Sequence, residues 1–234
     1  AGSFAVGVPA GSNSFKMLES FCLKFNPGSS RNAVWHALED GDELPSGVDG
    51  RFMRAFRTRH YAHDNIEEAP LSLALDLIWR KQKLREEYQQ LSQQELDKVR
   101  QEIGREGITR DVDERWITIS GDGAPLHPDQ VRGTKLLLHE ATFLHPEDYA
   151  SEEAGEDIGH VHSTVWDALL LAKESDVKNV VLYHISTRYT DAEIKSAVQE
   201  LAVKLNLQAK VWAALPCRVY WHLLQDKPLW DGSV

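Results

Sequence analysis

The second half of the chain alternates between short apolar runs and segments with helical periodicity. The runs WITIS, KLLL and VVLY each predict a β-strand, and the segments STVWDALLLAKES and DAEIKSAVQELAVKL repeat apolar residues at helical spacing. Thr190 and Glu193 stand three residues apart at the start of the second helix, which is the spacing of a capping box. Because strands and helices alternate, the pattern predicts an α/β fold with helices layered on a sheet.

The first sixty residues predict further short elements. The segment FAVGVPAGS indicates a strand and a turn. The helix that follows is indicated by apolar residues at helical spacing, namely Phe15, Leu18, Phe21, Cys22 and Phe25. Two more strands, AVWHAL and RFMRAFRTRH, are predicted on either side of the acidic turn EDGDELPSGVDG. We expect residues 1–234 to form a single domain.

Residues 71–107 carry a dense mixture of charges. Ser92 and Glu95 have capping-box spacing, and Leu96, Val99 and Ile103 continue one apolar face. This segment is therefore predicted to be a charged helical region within the domain, with most of its surface in solvent.

Composition and charge narrow the class of protein. The hydrophobic fraction of 42% is ordinary for a soluble protein, and no apolar run is long enough for a membrane span. The start of the chain lacks the features of a secretory signal, and Cys22 and Cys217 do not have zinc-type spacing. We therefore expect a cytoplasmic protein without a membrane partner. The net charge of −10 weighs against a broad nucleic-acid-binding face, although a local basic patch or a metal centre still attracts phosphates.

Three polar residues stand just after predicted strands. His60 follows RFMRAFRTR, Asp122 follows WITISG, and His184 follows NVVLY. Folds of the α/β class place ligand sites at the carboxyl ends of strands, and imidazole and carboxylate together suit zinc. A single histidine in such a place is also typical of a hydrogen-bonded structural residue. Spacing alone leaves both interpretations open.

A second group lies in HEATF, residues 139–143, and in GHVHST, residues 159–164. Glu140 and His162 are candidates for a carboxylate–imidazole pair, in which the carboxylate fixes the imidazole tautomer and tunes it for proton transfer. His160 and His162 offer an alternative, a small metal site, because residues i and i+2 of an extended segment share a face. We favour His162 as the functional histidine.

The order of the strings SGD, HEATF, HST and HISTRY resembles the closing half of ribonuclease Z, an endonuclease family of the metallo-β-lactamase superfamily that processes tRNA 3′ ends. The resemblance implies a metallo-β-lactamase-like αββα sandwich with a site for two zinc ions, or for manganese in their place. It assigns Asp122 as the bridging ligand, His184 as a ligand of the second ion and His60 as a ligand of the first.

The same resemblance implies roles beside the metal. Glu140 and His162 correspond to residues that assist proton transfer, and His139 in the same motif is assigned with them as catalytic. Arg188, in the motif HISTRY, is implied to contact a phosphate of the substrate or to hold its loop. The implied reaction is metal-dependent hydrolysis of a phosphodiester, with RNA or tRNA as candidate substrates.

Two features depart from that family. The sequence contains neither an HxHxDH string, which supplies further metal ligands there, nor a Gly-Pro-rich arm of the kind that grips tRNA. We therefore expect an N-terminal part of the domain to be missing from this sequence and to be needed for activity. Association with that missing half, or a homo-oligomer, is the expected assembly. The alternative is a non-catalytic binding or scaffold protein that keeps the fold.

Overall fold

A small parallel sheet opens the chain. The computed structural model describes residues 4–26, 28, 32–59, 71–149 and 162–232. Strand β1, Phe4–Pro9, pairs in parallel with strand β2, Ala33–Leu38, and helix α1, Asn13–Phe25, lies between them in sequence.

A larger mixed sheet holds the remaining strands of the described residues. Its seven strands follow one another in chain order: β3 Glu43–Pro45, β4 Arg51–Arg59, β5 Leu71–Leu84, β6 Thr109–Ile119, β7 Leu136–Glu140, β8 Asn179–Tyr183 and β9 Lys210–Ala213. Neighbours from β3 to β6 pair antiparallel, and neighbours from β6 to β9 pair in parallel. The carboxyl ends of β6, β7 and β8 therefore meet at the same edge of the sheet.

Helices pack on the parallel half of this sheet. Helix α2, Gln93–Ile108, joins the antiparallel strands β5 and β6, and the described helices of the parallel half are α3 Pro128–Val131, α4 Val165–Glu174 and α5 Asp191–Leu205. Helix α4 contacts β7, β8 and α5. Their fully buried aliphatic side chains, among them Leu137, Leu169, Val180, Ile194 and Val198, form the main core. Each such side chain contributes about 1.5–3 kcal/mol to the stability of the fold through burial.

The predicted alternation of strands and helices is confirmed. WITIS lies at the end of β6, KLLL at the start of β7 and VVLY within β8, and the two predicted helices are α4 and α5. The Thr190–Glu193 capping box is present at the start of α5, and each side chain bonds the backbone N–H of the other residue. The extent of the domain over residues 1–234 stays a prediction.

The helical prediction for residues 71–107 is wrong over its first part. Leu71–Leu84 forms strand β5, and a helix occupies only Gln93–Ile108, beginning after the predicted Ser92–Glu95 capping box. In β5 the side chains of Ala74, Asp76 and Ile78 are buried, whereas those between them are half-buried. Because leucines occupy the half-buried face, both faces of the strand are apolar and the alternation is hidden in the sequence.

Helix α1 forms where the sequence predicts it, but its apolar side chains stay in solvent within the described residues. Met17 is 74% exposed, Phe21 57% and Phe25 66%. Such a face usually packs against another element. None of the described helices has both the length and the apolar character needed to cross a membrane.

Candidate metal centre

The carboxyl ends of three neighbouring strands bring the predicted residues together. Asp122 lies three residues after β6, Glu140 is the last residue of β7, and His184 directly follows β8. His162 joins them from the segment that precedes α4. One donor atom of each of these four residues lies within 4.8 Å of the others. The structure thus places these four residues in one cluster, and their roles stay predictions.

The loop that carries Asp122 is fixed by its neighbours. Gly121 has φ of +72°, and a Cβ at this position would lie 2.4 Å from the carbonyl oxygen of Leu73 in β5. Only glycine fits this close approach without moving the strand. The hydroxyl of Tyr183 donates to the Gly121 carbonyl at 2.5 Å, and that of Ser72 donates to the Asp122 carbonyl at 3.0 Å. The backbone of Asp122 is therefore tied to both β5 and β8.

Glu140 is a fully buried carboxylate with hydrogen bonds to both of its oxygens. Its Oε1 accepts from the backbone N–H of Ser163 at 2.6 Å, and its Oε2 accepts from the N–H and the hydroxyl of Thr142, both at 2.9 Å. A buried carboxylate needs such donors to offset its loss of hydration. The Nδ1 of His162 lies 3.5 Å from Oε1. Because its oxygens are already held, Glu140 is suited to orienting His162.

The two histidines of the cluster both approach Asp122. The Nδ1 atoms of His162 and His184 lie 2.9 Å and 3.5 Å from Asp122 Oδ1, and the two rings stack with centroids 5.6 Å apart. The Glu140 carboxylate, with a smaller contribution from Asp122, raises the pKa of His162 above its usual range, although burial opposes this shift. His184 has φ of +58°. Such left-handed backbone in a non-glycine residue is strained and is common at functional positions.

Thr142 is a residue of the site that sequence reasoning missed. Its hydroxyl lies 2.9 Å from Glu140 Oε2 and 2.9 Å from His184 Nδ1, so it links the acidic and basic members of the cluster. The available signal is its place in HEATF, two residues after Glu140 and just beyond a strand end. Spacing does not show that its partner is a histidine on the next strand.

His139 and Arg188 are described in the structure but are not members of this four-residue cluster. His139 is fully buried, with Nδ1 donating to the Glu140 carbonyl at 2.7 Å, and burial lowers its pKa. Arg188 is exposed, and its guanidinium lies over the ring of Phe143 at 5.2 Å. His60 and His160 lie outside the described residues. The catalytic assignment of His139, the substrate-binding assignment of Arg188 and the metal assignment of His60 stay predictions.

The donor set of the cluster fits a divalent transition metal ion. Donors that share one ion at about 2.0–2.2 Å must lie within about 4.4 Å of one another, and the 4.8 Å spread of the donor atoms in this cluster is close to that limit. Imidazole and carboxylate, the groups of His184 and Asp122, are ligand types found in catalytic metal sites. His184 and Asp122 are partly exposed, so this edge of the sheet is accessible to solvent.

Solved structures share the fold of this chain. The metallo-β-lactamase fold protein YhfI from Bacillus subtilis matches 94% of the chain with a TM-score of 0.52 and 11% identity, over 65% of its own length. This chain has the metallo-β-lactamase fold. The isothiocyanate hydrolase from Delia radicum gut bacteria matches the same share with a TM-score of 0.53 and 12% identity, over 67% of its own length. The predicted fold class is therefore confirmed. Each match spans about two thirds of the solved chain.

Curated sequences also match part of this metallo-β-lactamase-fold chain. Ribonuclease Z of Methanopyrus kandleri is 33% identical over 85 residues, which is 36% of this chain and 28% of the relative. Ribonuclease Z of Sulfolobus acidocaldarius is 39% identical over 79 residues, or 33% and 24% of the two chains. The matches thus span about a quarter of the length of these relatives. No protein-family model matches the chain.

Proposed function

We propose that this chain forms part of a metal-dependent phosphodiester hydrolase similar to ribonuclease Z. The observation that carries the proposal is the convergence of Asp122, Glu140, His162 and His184 at one edge of the sheet. The partial likeness to ribonuclease Z supports the reaction class, because the name of those relatives denotes a nuclease. RNA, including tRNA, is the proposed substrate.

Asp122 and His184 are the proposed metal ligands among the described residues, and His60 is a proposed third. Zinc is the expected ion, with manganese as the alternative. When bound, it supplies Lewis acidity toward phosphoryl oxygens and activates water. A second ion needs more donors than these three residues provide, and we propose that they come from a polypeptide segment outside this sequence.

His162 is the proposed proton donor. The imidazole of His162 lies beside both Glu140 and Asp122, where it can pass a proton to the leaving oxygen, and the Glu140 carboxylate raises the pKa of this ring. Glu140 orients that ring and is in turn held by the N–H groups of Thr142 and Ser163. Arg188, exposed at the same edge after β8, is the proposed contact for a substrate phosphate.

The test separates metal binding from proton transfer. The full chain is stripped with EDTA and reloaded with zinc. Its metal content is then measured by elemental analysis, and its activity with bis-p-nitrophenyl phosphate as substrate. His184→Ala and Asp122→Ala are expected to lose both metal and activity. His162→Asn is expected to keep the metal and to lose about 100-fold or more in turnover, which is the size of a general acid's contribution.

The matched control is His222→Asn, which alters an exposed histidine after β9. It is expected to behave as the parent chain in both assays. Unchanged zinc content in Asp122→Ala would contradict the assigned ligands. Equal losses of metal in His162→Asn and His184→Ala would make His162 a ligand and remove its role as proton donor.

A second candidate function is a binding or scaffold module without catalysis. It is favoured by the number of donors, because the described residues gather ligands for one ion only. Catalytic sites that grip both the attacking and the leaving oxygen use two ions. Tight stoichiometric zinc in the chain alone, together with cleavage of bis-p-nitrophenyl phosphate, would contradict this second function.

A further inference from the structure

A second cluster of chemical groups lies on the sheet away from the metal centre. Trp79 of β5 and Trp116 of β6 meet edge to face, with ring centroids 4.9 Å apart and an interplanar angle of 82°. The Arg51 guanidinium lies 5.2 Å from the centroid of Trp79 and 4.9 Å from that of Trp116. Trp79 pairs with Arg51 on one side and with Glu114 on the other. These side chains therefore share one face of the sheet, since paired residues point the same way.

Cations outnumber acidic groups around the two indoles. The ammonium groups of Lys81, Lys83 and Lys135 lie 2.8, 3.5 and 3.2 Å from the carboxylate of Glu114. Among the described residues no carboxylate pairs with Arg51, the fourth cation. The groups that contact the rings or pair with Glu114 thus include four cations and one carboxylate, in a chain whose net charge is −10. We call this surface the indole patch, formed by Arg51, Trp79, Lys81, Lys83, Trp116 and Lys135.

A groove beside the indole patch has room for a ligand. Its volume is about 1120 Å³, and Arg51, Trp79 and Lys81 line it together with Gly50, Arg80 and Arg105 and with the acidic residues Glu43, Asp49 and Asp111. The Glu43 carboxylate is paired with Arg54 and Arg80. The Lys81 ammonium lies 3.8 Å from the centroid of Trp79, and that of Lys135 lies 5.1 Å from the centroid of Trp116. Lysines on half-exposed rings are readily displaced because their side chains are long and flexible. A nucleobase can then stack on the indole while the ammonium pairs with its phosphate.

We propose that the indole patch binds single-stranded nucleic acid. Bases stack on Trp79 and Trp116, and Arg51, Lys81 and the neighbouring lysines contact phosphates. The indoles favour this ligand over an acidic polypeptide, because carboxylates would use the cations and leave the ring faces unused. A duplex keeps its bases stacked inside and does not need the rings either.

The patch is also well placed for a substrate strand. Strand β6 leads from Trp116 to Ser120, about 13 Å at the usual rise per residue, and the Asp122 loop follows. A single-stranded nucleic acid of a few nucleotides can therefore reach from the indole patch to the metal centre. This inference deepens the proposed function, on which the role of the patch in substrate binding rests. Binding at the patch itself does not depend on a metal ion.

The test measures binding by fluorescence anisotropy, with the full chain in EDTA and fluorescein-labelled oligouridine of about 12 nucleotides. Trp79→Leu is expected to weaken binding about tenfold. Lys81→Gln should reduce the slope of log K against log salt by about 0.7, the value for one phosphate contact in a single strand. Glu114→Gln should tighten binding about two- to fivefold because it removes the opposing charge.

Lys204→Gln is the matched control, because the Lys204 ammonium lies 4.9 Å from the ring of Trp166 outside the indole patch. It is expected to bind as the parent chain does, and circular dichroism checks the fold of each variant. Oligothymidine in parallel shows whether RNA or DNA is preferred. Equal binding by the parent and all patch variants would overturn the proposal.

Competition separates the possible ligand classes. Polyglutamate that displaces oligouridine, with Trp79→Leu leaving both affinities unchanged, would overturn the proposal in favour of an acidic polypeptide. A duplex of the same length that binds as tightly as the single strand would also overturn it. EDTA removes metal ions from every binding experiment, so these outcomes do not depend on the cleavage assay. The binding proposal and the hydrolase proposal can therefore each fail while the other holds.

Discussion

Thr142 joins the acidic and basic members of the candidate metal centre through one hydroxyl. That hydroxyl donates to Glu140 Oε2, and its oxygen lies 2.9 Å from the Nδ1 of His184, so His184 keeps its outer nitrogen for other partners. Groups that hold a ligating histidine in place in this way tune both its orientation and its basicity.

Replacement of Thr142 by valine is therefore expected to weaken zinc binding about 10- to 100-fold while the fold is kept, because valine has nearly the same shape. Competition with a chromophoric zinc chelator measures the affinity. Thr58→Val is the control, since among the described residues the buried Thr58 hydroxyl has no hydrogen-bond partner. Equal zinc affinities in the two variants would show that the Thr142 hydroxyl does not position His184.

Sequence reasoning finds site residues that stand at strand ends, and it misses those whose role depends on which strands become neighbours. Asp122, Glu140 and His184 were predictable because each stands at a strand end, where the side chain must emerge at the edge of the sheet. The roles of Thr142 and Ser163 depend on which strands become neighbours, and no local pattern encodes that. The burial of His139 is likewise set by packing, although it adjoins Glu140 in the same motif.

Among the elements, α1 and α5 have similar amphipathic sequences but different surroundings. Most apolar residues of α5 are buried in the main core, where the helix contacts α4, whereas the large apolar side chains Met17, Phe21 and Phe25 of α1 are exposed among the described residues. Helical periodicity thus predicted both helices correctly, yet it could not show which of them is packed. Burial depends on the partner element, which lies elsewhere in the sequence.

Matched substitutions in these two helices are expected to lower the free energy of unfolding by different amounts. Leu201→Ala in α5 should lower the free energy of unfolding by about 2–5 kcal/mol, because it leaves a cavity in the core. Met17→Gln in α1, at a side chain that is 74% exposed, should change it by less than about 0.5 kcal/mol. Urea denaturation followed by circular dichroism measures both values. A cost above about 1.5 kcal/mol for Met17→Gln would mean that α1 is packed in solution.

Strand β5 shows where the hydrophobic pattern is ambiguous. Its first half is apolar on both faces and its second half is rich in lysine and arginine, which together imitate a charged helix. Pairing on both sides, with β4 and β6, decides the conformation. Tertiary pairing therefore overrides a local preference here, as is common for strands in the middle of a sheet.

For the whole molecule, the distribution of charge predicts a pH dependence of stability. Hydrogen bonds from Lys81, then from Lys135, lower the pKa of Glu114 to about 2. A carboxyl whose pKa is lower in the folded chain stabilises it above its ordinary pKa, and this contribution is lost as the pH falls through the folded value. The Glu114 contribution should thus be present above about pH 5 and disappear toward about pH 2.

The measurement compares urea denaturation midpoints of the parent chain and Glu114→Gln over that range. The parent is expected to be the more stable of the two near neutral pH, and the difference should shrink as the pH falls. Added salt should also shrink it, because the ion pairs are partly exposed. A difference that stays constant between about pH 6 and about pH 2 would contradict the assigned ion pairs.

The ligands of the candidate metal centre come from separate strands, so an ion that binds them is also a cross-link. Asp122 and His184 follow β6 and β8, with β7 between them, and neither loop can leave without breaking the site. Binding therefore adds to the stability of the parallel half of the sheet, by about 2.7 kcal/mol when the free ion is at a hundred times its dissociation constant. Conversely, removal of the ion should lower the resistance of this half of the sheet to unfolding.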